Sequence, residues 1–213
     1  MEKEEGGLLI SEKGKNVLFY QSKPKNLNGK FERCNYIHPL WGLDGTVLTE
    51  DFPADHLHHR GVFWAWHQIY IGDKKIWDPW EIVDFDQEVV ELEYLQMEKG
   101  VVQIKTEVEW KSEQWKKQGK KVPYLKENTF ISIHPKTGNF RKIDFEIHLL
   151  ALENGLKMGG SDDVKGYSGF SLRMVLPDDV QFAGPKGKIE PQNEAVKSEG
   201  YVNVNGSMLK ANK

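Results

Sequence analysis

Apolar and polar residues alternate with a period of two along most of the chain. In VVQIKTEVEW, Val102, Ile104, Thr106, Val108 and Trp110 interleave with Gln103, Lys105, Glu107 and Glu109. Successive side chains of an extended strand point to opposite faces, so this spacing predicts a sheet strand with one buried and one wet face. LLI, NVLFYQ, GTVLTE, VFWAWHQIYI, QEVVELEYLQM, TFISIH, KIDFEIHLLAL and GFSLRMVL are similarly rich in β-branched and aromatic residues, between Gly, Pro, Asn or Asp. No stretch keeps a helical period long enough for a stable helix.

The connections are short. SEKGK, YIGDKK, MEKG and HPKTGN each supply a glycine that tolerates positive φ, which suits sequential hairpins. The pattern predicts an all-β, antiparallel β-sandwich wound as a meander of hairpins, and 213 residues fit one domain spanning 1–213. WKKQGKKVP, residues 115–123, predicts a solvated hairpin tip. From residue 177, PDDVQFAGPKGKIEPQNEAVKSEG loses the alternation and gains Pro, Gly and charge, which predicts loops with one short strand.

Composition narrows the function classes. Charged residues are 29% of the chain yet cancel to a formal net charge of -3, which leaves no basic field for nucleic acid or an anionic membrane. No apolar run approaches the roughly 18 residues of a membrane helix. The start, MEKEEGGLLISEKGK, lacks a signal-peptide core. As written, a soluble cytoplasmic chain is expected, or a periplasmic or secreted one where a leader has been removed. With Cys34 as its single cysteine, the chain can form neither an internal disulfide nor a zinc–cysteine cluster.

Chemistry is concentrated in DFPADHLHHRGVFWAWHQI, residues 51–69. This stretch holds His56, His58, His59 and His67 within twelve positions, beside Asp55, Arg60, Trp64 and Trp66. His-x-His spacing puts His56 and His58 on one side of an extended strand, where two imidazoles can chelate a divalent metal. The hydrolase pattern His-x-His-x-Asp-His is not met, because Asp55 precedes the histidines. A divalent metal at His56 and His58 therefore stays the lesser alternative, with no ligand set assigned.

Acid/base chemistry needs less. Histidine titrates near neutral pH, and Asp55 and Arg60 could orient and tune the rings. Trp64 and Trp66 would stack on the apolar faces of sugar rings while polar neighbours bind hydroxyls. Packing is the remaining reading: Pro53 and Gly61 bracket a loop, His59 and Arg60 cap backbone groups, and the tryptophans and His67 fill a core. In KIDFEIHLLAL, Glu146 and His148 share the polar face of a strand and would complete a site if that face is concave. Arg173, in GFSLRMVL, has the fork geometry for a sugar carboxylate or paired hydroxyls.

Three runs together resemble a signature of the DUF6807 family, whose members also carry the label methane oxygenase PmoA. They are His38-Pro39, Gly45-Thr46-Val47-Leu48-Thr49, and Asp51-Phe52-Pro53-Ala54-Asp55-His56-Leu57-His58-His59-Arg60-Gly61. Tyr167-Ser168-Gly169-Phe170-Ser171-Leu172-Arg173 is similar to a second segment of that family, so that the resemblance covers residues 31 to about 205. It implies a soluble bacterial protein of sugar utilisation with no assigned reaction. It also implies a fold similar to the galactose-mutarotase-like supersandwich, whose concave sheet carries His, Asp, Glu and Arg around a sugar. The methane-oxygenase label implies a membrane-bound complex and does not suit a chain without a membrane segment. Family members continue well past the Tyr-Val-Asn-Val-Asn-Gly at 201–206, which implies an early end here, an open sheet edge and a homo-oligomer.

Together these features point to a carbohydrate-active protein with a small-molecule or glycan ligand, acting as a hydrolase, lyase or epimerase. Asp55, His56, His58, His59 and Arg60 are the expected catalytic groups. His38, Trp64, Trp66, His67, Glu146, His148 and Arg173 are expected to line the substrate site. A non-catalytic glycan-binding module and a metal-dependent hydrolase are the alternatives.

Overall fold

In the computed structural model, which describes residues 1–207, the alternating segments pair into two antiparallel sheets stacked face to face. The larger sheet runs Glu2–Glu4, Gly7–Glu12, Lys15–Gln21, Tyr36–Leu40, Val62–Trp66 and Ser168–Leu172 in spatial order. The smaller runs Phe85–Gln96, Val102–Ser112, Leu125–Ile133 and Ile143–Ala151. No α-helix occurs among the described residues, so none is long and apolar enough to cross a membrane.

The two sheets hold together through their facing side chains. Leu8, Ile10, Leu18, Ile37 and Val62 of the larger sheet meet Ile104, Ile131 and Ile133 of the smaller. Trp64 meets Val108, Trp110 and Leu125. Each such side chain contributes roughly 1.5–3 kcal/mol when fully buried. Within Val102–Ser112 the expected alternation holds, with Ile104, Thr106, Val108 and Trp110 all buried. Glu127 also lies in this core and accepts hydrogen bonds from Asn35 Nδ2 (2.8 Å), Trp110 Nε1 (3.0 Å) and Thr129 Oγ1 (2.7 Å). Burial pushes its carboxyl pKa up.

Two expectations need correction. The meander describes the smaller sheet, but in the larger one Ser168–Leu172 returns from far along the chain to pair with Val62–Trp66, Phe170 opposite Trp64. Without it the backbone of Val62–Trp66 would be an open edge. Residues 177–200 hold two short strands rather than one, Gln181–Gly184 and Gly187–Ile189, and Asn203–Asn205 joins them. Pro185 does not break this hairpin because it sits in the turn, where no ladder donor is needed. The lysine-rich stretch is a hairpin tip, as its composition predicts: Lys116–Lys117 pairs with Lys120–Lys121, and Gln118 and Gly119 both take positive φ.

The strand Val62–Trp66 divides two environments. Val62, Trp64 and Trp66 pack on the sandwich core. Phe63 and Ala65 project from the opposite, outer face, where they form a separate apolar cluster with Tyr36 and Trp80.

Candidate functional site

The loop between Asp51 and Gly61 lies over that outer face. Two successive turns shape it, with the amide of His56 donating to the Pro53 carbonyl (3.0 Å) and that of His59 to the His56 carbonyl (2.9 Å). Gly61 ends it where the chain crosses the neighbouring strand: a Cβ there would stand 2.1 Å from the Ile37 carbonyl oxygen, so no other residue fits.

Coiling the loop gathers three imidazoles. His56 stacks on His59 with centroids 4.8 Å apart, and His58 meets His59 edge-on at 4.5 Å. His67 has the same strand parity as Phe63 and Ala65, so it reaches the same face and stacks on Trp80 at 5.3 Å. Trp80 links the two groups, since His59 touches its ring edge-on at 5.6 Å. Tyr167 stacks on Trp80 at 5.5 Å with its ring half exposed.

Carboxylates hold the rings. The Asp55 carboxylate accepts from His56 Nδ1 (3.0 Å) and from Arg173 Nη2 (2.6 Å), while Arg173 Nε donates to Glu50 (2.9 Å). The His56 hydrogen bond and then Arg173 hold the Asp55 carboxyl well below the usual range. His67 Nδ1 lies 2.9 Å from Asp78 Oδ2, and Asp78 Oδ1 caps the amides of Trp80 and Glu81. His58 Nδ1 lies 3.4 Å from a Glu81 oxygen.

Burial, and then the neighbouring imidazoles, lower His58 to about 4 and His59 to about 3. Both are therefore neutral at pH 7, able to accept a proton or a hydrogen bond.

Several expected residues fall elsewhere. Trp64 and Trp66 face the sandwich core and not the histidines, because strand alternation sends them the other way. Arg60 is fully buried. Its guanidinium donates to the carbonyls of Phe31 and Leu57, pairs with Asp51 and covers the Phe52 ring, so it fixes the loop from beneath. Glu146 and His148 pair with each other at 2.7 Å on the exposed face of the smaller sheet, away from the cluster. His38 hydrogen-bonds Thr49 (3.0 Å), half-buried, and burial lowers its pKa. Arg173 is brought to the site.

The residues that sequence reasoning missed are Trp80, Tyr167, Asp78, Glu81 and Glu50. Tyr167 opens the second family-like segment, and Asp78-Pro79-Trp80 has the form of an Asx-capped turn; those were the available signals. Among the described residues no three His, Cys, Asp or Glu side chains are placed to hold one metal ion.

No curated protein and no solved structure matches the chain. The model of DUF6807, described as a family of unknown function, matches residues 8–211, a span that begins well before His38 and the histidine loop. The loop, the Tyr167–Arg173 strand and the sandwich beneath them lie within that match, and this chain belongs to the DUF6807 family.

Proposed function

We propose that the outer face of the larger sheet binds an extended glycan and carries out histidine-based acid/base chemistry on it. One observation carries the reading. The edge strand presents Tyr167 near one end of this face and Arg173 at the other, both on the histidine side, with only Gly169 and Ser171 between them. A Cβ on Gly169 would meet nothing within 4 Å, so the stretch between is open. The six intervals from Tyr167 to Arg173, at about 3.3 Å each, make this surface strip roughly 20 Å long, enough for an oligosaccharide.

Each part of the strip has a task. The exposed part of the Tyr167 ring, backed by Trp80 and with the Lys165 ammonium 5.5 Å from its centroid, is a platform for the apolar face of a sugar ring. Arg173 and Glu50 offer donors and acceptors for hydroxyls or a sugar carboxylate. Asp55 fixes the His56 ring with its proton on Nδ1, leaving Nε2 for the substrate. Neutral His58 and His59 accept hydrogen bonds from the substrate, and the proton that the reaction releases goes to His56 Nε2. This proton transfer is common to hydrolysis, elimination and epimerisation.

The exposure of Tyr167 and the openness of the strip equally suit a binding module without chemistry, and turnover separates the two. A panel of neutral and acidic oligosaccharides tests the shared part by calorimetry. Wild-type protein should bind at least one of them, and Tyr167→Ala should weaken that binding about tenfold, roughly one stacked ring. Undiminished binding in Tyr167→Ala would mean that the strip is not the glycan surface.

A further inference from the structure

The sandwich is open along one flank. Ser168–Leu172 ends the larger sheet there and Ile143–Ala151 ends the smaller, with the rings of Phe170 and Phe145 meeting between them at 4.9 Å. Phe170 and Leu172 have the parity that faces the core, yet they are 45% and 52% exposed, and Leu150 is 55% exposed. Large apolar side chains gathered on one flank mark an interaction surface.

Sheets guard their edges with short strands, charge, bulges or proline. Glu2–Glu4 is three residues long and charged throughout, Phe85–Gln96 is broken by a register shift between Val89 and Glu91, and Ser168–Leu172 carries Gly169 at positive φ. Ile143–Ala151 has none of these devices. It runs nine residues in unbroken register with Leu125–Ile133, holds no Lys, Pro or Gly, and pairs with no strand on its other side among the described residues. Its free backbone groups can be assigned. The amide of Leu152 donates to the Tyr124 carbonyl and that of His134 to the Lys142 carbonyl, each at 3.0 Å. Even-numbered residues therefore turn their backbone toward Leu125–Ile133, and the odd-numbered ones from Ile143 to Ala151 turn theirs outward, ready for another strand.

The side chains decide which strand fits. With the apolar faces of two copies on one side, a two-fold axis relating their edges must pass through a residue, so that opposite residues share a face. Turned about Ile147, Phe145 comes opposite Leu149 on the dry face and Glu146 opposite His148 on the wet face, on both sides of the axis. An imidazole donates to a carboxylate in this arrangement whether it is neutral or charged. Turned about Glu146 or Phe145, carboxylates would oppose each other, and turned about His148, the imidazoles would. The strand is thus complementary to itself in one register.

We infer that a second copy of this chain docks on the edge Ile143–Ala151, antiparallel about Ile147, and joins the two smaller sheets into one. The axis leaves both larger sheets on the same side, so Phe170 and Leu172 of the two copies approach each other over the seam. The histidine face stays free, and the inference does not rest on the glycan reading. One strand pair is a small interface, which sets a weak dimer with a Kd on the order of 10–100 µM.

The test is sedimentation velocity of the full chain from about 2 to 200 µM, over which the wild type should pass from monomer to dimer. His148→Glu sets a carboxylate against Glu146 of the other copy on both sides of the axis and should raise the Kd at least about tenfold. Both side chains are exposed, so the circular dichroism spectrum and the melting temperature at the lowest concentration should not change. Exchanging the two residues, Glu146→His with His148→Glu, restores the opposite pairing and should return the Kd to within about threefold of the wild type. A wild type that stays monomeric at the top of the range, or a dimer indifferent to His148→Glu, would overturn the docked edge. A dimer that the exchange fails to restore would overturn the register about Ile147.

Discussion

The two faces of the strand Val62–Trp66 solve different problems with similar residues. On the inner face Val62, Trp64 and Trp66 join the dry core between the sheets. On the outer face Phe63 and Ala65 underlie a layer in which His59, His67 and Trp80 are interleaved with carboxylates and reach toward solvent. Both faces are aromatic, but the outer one sets its rings among histidines and carboxylates that reach solvent, whereas the inner one buries its carboxylate, Glu127, behind hydrogen bonds from Asn35, Trp110 and Thr129. Stability is therefore expected to depend on the inner face and chemistry on the outer, and substitutions along the strand can pull the two apart.

The largest effect should come from the inner face. Trp64→Ala removes a 1%-exposed indole and should destabilise the protein by about 3–5 kcal/mol in denaturant unfolding, the usual range for a buried large-to-small change. A loss under about 1 kcal/mol would mean that the core does not depend on this face. Next comes Arg60, the outer-face residue that behaves like core. Arg60→Met strands Asp51 with Lys25 and Tyr36 as its remaining partners and frees the carbonyls of Phe31 and Leu57. It should cost about 3 kcal/mol and loosen the histidine loop, measured as faster amide exchange across residues 52–60.

A smaller effect comes from pH. His58 and His59 titrate at lower pH in the folded state than in the unfolded chain, so below about pH 6.5 the unfolded state binds more protons. Their contribution is complete above that pH and is lost progressively on acidification toward about 4 and 3. The lowered Asp55 carboxyl acts in the same direction at lower pH still. The midpoint of urea unfolding should thus fall between pH 7 and pH 4, and the fall should be shallower in the double variant His58→Gln, His59→Gln. Identical slopes would show that these rings are not held neutral by the fold. The smallest effect is expected at the exposed pair of the other sheet. Glu146→Gln and His148→Ala should each change stability by less than about 0.5 kcal/mol and leave glycan binding intact.

Much of the fold was legible because its strands are wet on one side. Val102–Ser112 alternates cleanly, and alternation reports which residues a sheet buries. Val62–Trp66 is apolar at every position because it is covered on both faces, and such a run does not reveal which parity faces the core. That is why Trp64 and Trp66 were expected beside the histidines. The parity of His67, matching Phe63 and Ala65, was the signal that pointed the right way. That the loop histidines and Asp55 form one cluster was legible from their density, and Arg173, which joins them through Asp55, was singled out by its fork geometry and the family-like segment it ends. Trp80, Tyr167 and Glu50 were not, since they reach the cluster through pairings between segments far apart in sequence. The burial of Arg60 depends on Phe31 and Asp51 closing around it, which composition alone does not show.

The central claim is that the outer-face imidazoles move protons on a bound glycan. It is tested most directly by comparing turnover of a bound oligosaccharide by the wild type and by His58→Ala, with binding and unfolding free energy measured on the same samples. Turnover should fall at least about 100-fold while the glycan still binds and stability changes by less than about 1 kcal/mol. Unchanged turnover in His58→Ala, or a loss of several kcal/mol of stability with no chemistry on any glycan that binds, would contradict it.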